Sequence, residues 1–172
     1  GESLARVVEP YFDRSWRHFS SHNQTPHDRL SRYSAAVRKG RVAYIAYPIF
    51  SAFANHGNYP CRLLVRNVLD LLLPEPLLRV EAPTSTETTV MRQGRRTIVH
   101  LLQYCPERRT PGLDIVEDIV PLADVPLSLK LARRPGKVYL APSGRAVGFS
   151  YENGRVKVRV PEVRGHQMVV FE

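Results

Sequence analysis

The sequence predicts an α+β protein, mainly β, in which one βα unit precedes an antiparallel β-sandwich. Three observations carry this. From residue 86 onward the hydropathy alternates with period two, in short runs separated by turn residues. Ahead of them stands a helix-length amphipathic run, Pro60–Leu73, preceded by a strand-length apolar run, Val42–Tyr47. Between the two regions, residues 74–83 hold three prolines in ten positions (Pro74, Pro76 and Pro83). Proline restricts itself and the residue before it to extended shapes, so this stretch reads as a linker or extended crossover.

In chain order, Ser3–Val8 reads as a short helix with Leu4, Val7 and Val8 on one face. The segment that follows is rich in aromatics (Tyr11, Phe12, Trp16, Phe19) and poor in periodicity, and His18–Pro26 is polar and turn-rich. Forty residues without a clear element are unusual in a self-contained domain, so this segment is expected to pack on a surface that lies elsewhere. Val42–Tyr47 is continuous in its apolar character, as in a strand covered on both faces. Pro48–Asn58 reads as a loop or short turn, and Pro60 suits the first turn of a helix, where its missing N–H is no loss. Cys61, Leu64, Val65, Val68 and Leu72 form one helical face, and the polar stripe holds only Arg62, Arg66 and Asp70. That helix is expected to be mostly buried, and one βα unit cannot cover itself.

Seven strands are expected in the second region: Glu87–Arg92, Thr97–Tyr104, Val125–Leu131, Lys137–Ala141, Ala146–Tyr151, Arg155–Val160 and Gln167–Phe171. The turns between them are chemically apt, above all Glu152-Asn153-Gly154, because Asn-Gly between alternating runs marks a tight hairpin. Val156, Val158 and Val160 alternate with Arg155, Lys157 and Arg159, so one face is buried and the other forms a solvated cationic row. Seven short strands in so few residues predict a sandwich.

Composition narrows the function. At 172 residues the chain is too short for a (β/α)8 barrel, which needs roughly 200 or more. The formal net charge is +9, but the basic residues come singly or in pairs, and the densest cluster is Arg38-Lys39-Gly40-Arg41. No basic tail or aromatic-lined groove is evident, so nucleic acid is an unfavoured partner. Cys61 and Cys105 are too few for a disulfide framework or a zinc cluster and read as small buried thiols. No apolar run approaches the ~18 residues of a membrane span. Two thiols without a disulfide framework make a cytoplasmic location the expectation.

Candidate chemistry is sparse. His18, His22 and His27 lie close in sequence, and the first two would share a helical face able to hold a metal, but Ser20, Ser21 and Asn23 disfavour a helix there. His100, between Val99 and Leu101, and His166, after Gly165, read as framework histidines. Asp114, Glu117 and Asp118 supply a carboxylate pair on paper, yet Ile115-Val116 and Ile119-Val120 around them suggest a loop or edge strand with solvated charges. No nucleophile elbow, phosphate loop or dinucleotide fingerprint is present. Eight tyrosines and Trp16 raise the possibility of a sugar-stacking platform, though packing explains most of them.

Several stretches resemble bacterial glycoside-hydrolase-like proteins that carry a β-galactosidase trimerisation-type domain after a catalytic barrel. They are Val8-Glu9-Pro10-Tyr11-Phe12-Asp13-Arg14, His18–His22, Lys39–Tyr44, Pro48-Ile49-Phe50, Leu73–Leu77, His100–Tyr104, Pro106–Arg109 and Val160–Val170. The resemblance covers nearly the whole chain but only the C-terminal part of such a protein. It implies that residues 1–78 are the terminal portion of a flavodoxin-like trimerisation-type domain and residues 79–172 a C-terminal β-sandwich. It also implies that catalysis belongs to an absent barrel, so no catalytic, cofactor-binding or metal-ligating residue is carried over and no cofactor is expected. A start at Gly1 suits an excised piece. The expected role is a non-catalytic accessory or assembly region of a glycoside hydrolase. Its partners would be the remaining portions of its own chain and further copies of itself. A carbohydrate-binding module and a stand-alone basic nucleic-acid-binding protein are the alternatives.

Overall fold

The structure is a computed structural model that describes residues 1–21 and 25–172. The chain divides into two compact units, Gly1–Glu75 and Pro76–Glu172. The α+β, mainly β class holds, with the antiparallel sandwich in the second unit.

In the first unit, strands β1 (Glu2–Pro10), β2 (His27–Lys39) and β3 (Val42–Ile45) form an antiparallel sheet in the order β1-β2-β3. The helix expected over Ser3–Val8 is therefore a strand. Six residues cannot separate the two periods, and β2 supplies a ladder for the β-branched pair Val7-Val8, which favours the extended form. The ladder is irregular, with several register shifts, and the Arg6 guanidinium reinforces it by donating to the Ser31 carbonyl at 2.6 and 2.9 Å. The densest cationic cluster of the sequence turns out to be a hairpin end. Lys39 pairs with Val42, and Gly40 takes φ +60°, the left-handed conformation that the tight connection requires.

The strand expected to be covered on both faces is instead open. Val42 and Tyr44 are 68% and 65% exposed, because β3 is an edge strand of a three-stranded sheet. Helix α1 (Ile49–His56) occupies the stretch read as a loop or turn, and closes where the Gly57 N–H donates to the Phe53 carbonyl at 2.8 Å. Helix α2 (Tyr59–Leu72) follows, with Pro60 in its first turn and its end just ahead of Pro74. The strand-then-helix order over residues 42–72 is thus present, with an antiparallel sheet partner for the strand. Of α2 only Val68 is buried, whereas Leu69 and Leu71 are exposed, contrary to the expectation of a mostly buried helix. The cause is the small core of this unit, in which only Ala36, Ile49 and Val68 are buried hydrophobics among the described residues.

The second unit holds two four-stranded antiparallel sheets. One has the order β10-β13-β6-β5, from β5 (Thr86–Gln93), β6 (Arg96–Gln103), β10 (Val138–Ala141) and β13 (His166–Phe171). The other has the order β11-β12-β9-β4, from β4 (Leu78–Val80), β9 (Leu122–Lys130), β11 (Phe149–Glu152) and β12 (Arg155–Val163). All seven expected strands are present with shifts of a few residues at their ends. The eighth, β4, lies in the stretch read as a linker, where Leu78 and Val80 pair with Leu129 and Leu127. A small hairpin, β7 (Glu107–Thr110) and β8 (Leu113–Ile115), stands apart from both sheets.

Between the sheets lies one apolar layer, built from alternate residues. Val99, Leu101, Val169 and Phe171 come from one sheet, and Leu127, Leu129, Val156 and Val158 from the other. The Asn153-Gly154 turn has φ +50° and +74°, the pair of positive values that a type I′ hairpin needs. Arg155 is not part of a solvated row. Its guanidinium donates to the Ser128 hydroxyl (2.8 Å), the Ser128 carbonyl (3.0 Å) and the Pro76 carbonyl (2.9 Å), tying the start of this unit to β9.

Leu129 is fully buried on β9, an interior strand of its sheet, so Leu129→Ala is expected to cost about 2–5 kcal/mol in denaturant unfolding of the second unit. At Gly154 any side chain must accept φ +74°, so Gly154→Ala should also lower the unfolding midpoint, although a Cβ would meet the Leu131 carbonyl only at an ordinary van der Waals distance of 3.8 Å.

Candidate functional site

The two sheets of the sandwich present outward faces of different chemistry, and these are the candidate sites. On the β11-β12-β9-β4 face a shallow cavity of about 560 Å³ is lined by Arg79, Glu81, Ser128, Ser150, Lys157 and Arg159, over an apolar floor that includes Pro126 and Phe149. Two of its basic groups are matched by acids. Lys157 Nζ lies 3.1 Å from Glu152, and Arg159 lies 2.5 Å from Asp124. Asp124 reaches this position from φ +55°, at the point where the in-out alternation of β12 breaks over Pro161-Glu162.

The β10-β13-β6-β5 face carries two shallow depressions. Met91, Arg92, Arg96, Ile98, Tyr139 and Met168 line one of about 460 Å³, and Glu87, Thr89, Leu102 and His166 line an adjoining one of about 440 Å³. His100 belongs to both. Its Nδ1 lies 3.0 Å from Nε2 of His166, with ring centroids 5.3 Å apart and planes 11° from parallel, so the two rings meet edge to edge through a nitrogen–nitrogen hydrogen bond. Sequence reasoning treated these as separate framework groups. They are 66 residues apart, and only the β6–β13 ladder brings them together.

The other residues singled out are dispersed. Asp114 accepts a bidentate pair of bonds from Arg108, which holds that guanidinium above its ordinary pKa. Glu117 is bonded to Arg109, which also meets Glu107 at 2.9 Å. These carboxylates brace the β7–β8 hairpin, and Asp118 is exposed in the loop after it. His18 meets Phe12 in a tilted ring contact, and His27 pairs with Pro10 in the β1–β2 ladder, while His22 lies outside the described residues. Among the described residues no group of three or more His, Cys, Asp or Glu is arranged to hold a metal. Cys61 is half-buried, and Cys105 is exposed rather than buried as expected, beside Gln103. Tyr44 and Tyr47, expected in a covered strand, are exposed, whereas Tyr139 and Tyr151 are half-buried in the sandwich. No helix among the described residues is long and apolar enough to cross a membrane.

Fold and site together define a β-sandwich module preceded by a small α+β unit, with no assembled acid–base pair among the described residues. No family model and no curated protein sequence matches the chain. Among solved structures it is similar to α-L-fucosidase isoenzyme 2 from Paenibacillus thiaminolyticus, a glycoside hydrolase, with 34% identity and a TM-score of 0.89. That match covers 100% of this chain and 27% of the fucosidase, so the chain spans about a quarter of that protein's length. A second structure, a cycloisomaltooligosaccharide glucanotransferase from Paenibacillus sp. complexed with cycloisomaltoheptaose, matches 55% of the chain at 13% identity. It covers 16% of that protein with a TM-score of 0.42, too low to bear on the fold.

The electrostatics of the sandwich yield a pH signature. Lys137, 3.1 Å from the Glu172 side chain, and Arg96, at 3.5 Å, hold that carboxyl below its ordinary 4.5. A lowered pKa in the folded state stabilises it above the unfolded value, and the contribution disappears as pH falls through the folded one. Glu172→Gln is therefore expected to lower the thermal midpoint at neutral pH, and the gap from the parent chain should close as the pH is taken below 4.5. A gap of constant size down to strongly acid pH would remove the ion pairs as its cause.

Proposed function

We propose that this chain is a non-catalytic accessory and assembly region of a larger glycoside hydrolase, whose catalytic barrel lies outside these 172 residues. The observation that carries the reading is the match of the whole chain to 27% of a fucosidase at 34% identity and a TM-score of 0.89. Such identity over the full length supports common descent with part of a hydrolase and leaves most of that hydrolase unmatched. The arginine-bound carboxylates of the β7–β8 region support a structural role for the one acidic cluster. An assembly role for residues 1–75 is supported by their open apolar surface, including Phe50, Leu69 and Leu73, since large exposed apolar patches mark interfaces. The trimerisation-type resemblance belongs to this proposal. A further role in holding carbohydrate is favoured by one observation, the shallow cavity on the β11-β12-β9-β4 face, where Ser128 and Ser150 hydroxyls border an apolar floor.

Two measurements test the proposal. The isolated chain should hydrolyse neither aryl α-L-fucosides nor aryl β-galactosides above a heat-killed control. Turnover abolished by Asp118→Ala would overturn the non-catalytic reading. In light scattering at high concentration the chain should self-associate, and Leu69→Glu with Phe50→Glu should shift it towards monomer. A clean monomer with low binding of a hydrophobic dye would count against the assembly role.

A further inference from the structure

The cavity on the β11-β12-β9-β4 face is laid out by strand register. Arg79 pairs with Ser128, Ser128 with Lys157, and Lys157 with Ser150, so these four side chains form one outward row across all four strands. A second outward row lies beside it. There the Glu81 N–H donates to the Pro126 carbonyl at 3.0 Å, Arg159 pairs with Pro126, and Gly148, just ahead of the Phe149–Val158 pair, continues the row to β11. Both rows line the cavity, which is therefore a trough running across the strands rather than along them. Four strands about 4.8 Å apart give it a length of about 14 Å, roughly three sugar rings end to end.

Two ion pairs hold the trough open. Lys157 and Arg159 are successive outward residues of β12, and their long side chains could fold over the ground between them. Lys157 is drawn towards Glu152, which sits opposite Arg155, and Arg159 is drawn the other way along the strand to Asp124, beyond Pro126. The two side chains become walls, with Ser128 and Pro126 on the floor between them. The Ser128 hydroxyl is itself fixed, because its oxygen accepts from Arg155 at 2.8 Å and its own proton is left to donate.

The occupant is set by what these groups can offer. β9 and β12 are interior strands whose N–H and C=O groups are spent in their ladders, so a peptide finds no strand edge to extend here. The wall cations are each matched by a carboxylate that does not line the trough, and Arg79 and Glu81 at the β4 end add one charge of each sign. The trough thus presents N–H and hydroxyl groups over an apolar floor without a surplus of charge. A pyranose ring, apolar on one face and hydroxylated at its rim, matches that surface. We propose that the trough binds a neutral oligosaccharide of about three rings laid across the strands, with Lys157 and Arg159 donating to its hydroxyls, an assignment that rests on the carbohydrate-holding role given above. Glu152 and Asp124 are positioning residues, since each keeps its cation out of the trough.

The test is a chemical-shift titration of the full chain with the neutral trisaccharides α-1,4-galactotriose, cellotriose and 2′-fucosyllactose, and with trigalacturonate, which repeats the first with a carboxylate on each ring. At least one neutral trisaccharide should shift the amides of Ser128, Ser150, Lys157 and Arg159, bind more tightly than its monosaccharides and keep its affinity as salt is raised. A Cβ at Gly148 meets nothing within 4 Å, so Gly148→Leu should fold normally and abolish binding by filling the trough. Lys157→Met keeps the aliphatic stem and should weaken binding about tenfold, whereas Thr89→Ala on the other sheet should leave it unchanged. Absence of shifts on this face with every one of these saccharides would overturn the trough and the carbohydrate role together. Shifts that survive both Gly148→Leu and Lys157→Met, or a preference for trigalacturonate that salt removes, would overturn the trough's assignment and leave that role standing.

Discussion

Everything on the surface of the sandwich is set by the apolar layer between its sheets, where Val99, Leu101, Leu127, Leu129, Val156, Val158 and Phe171 interlock. Burial of each such side chain stabilises the fold by roughly 1.5–3 kcal/mol, and the contributions act together because the layer is continuous. Alternation then dictates the rest. If Val99 and Leu101 face in, His100 faces out, and if Leu127 and Leu129 face in, Ser128 faces out. A slip of one residue in either strand would send the whole apolar set into water, so the register is strongly specified. The His100–His166 pair and the Ser128–Arg155 bonds both depend on that register.

The first unit lacks this constraint. Its elements are amphipathic, but the three buried hydrophobics it can muster leave the faces of α2 and β3 open. A unit of about 75 residues has little interior for its surface, and an irregular three-stranded ladder supplies less still. Exposed Trp16, with Arg17 stacked over its ring at 4.8 Å, shows the same shortage of partners within the unit. These open apolar faces are what the assembly role proposed for residues 1–75 rests on.

Charge behaves in a similar way. A formal +9 suggests an anionic partner, yet the arginines that matter in the sandwich serve local ends. Arg155 bonds carbonyls at the start of the unit, Arg108 and Arg109 hold the carboxylates of the β7–β8 hairpin, and Arg159 is matched by Asp124. Net charge describes the chain as a whole, and it says little about a face whose cations are already paired.

Read alone, the sequence determined whatever depends on local chemistry. It marked the seven main strands, the Asn153-Gly154 hairpin and the helix opened by Pro60, because period and turn residues are visible within ten positions. It also excluded a barrel on length. Whatever depends on a distant partner was decided by tertiary structure. Glu2–Pro10 is a strand because β2 pairs with it, and Leu78–Val80 is a strand because β9 does. The helix over residues 59–72 is exposed because no core meets it, and two histidines 66 residues apart meet because one ladder aligns them. Periodicity reports which face of an element is apolar; what that face touches is settled only when strands far apart in sequence hydrogen-bond in register.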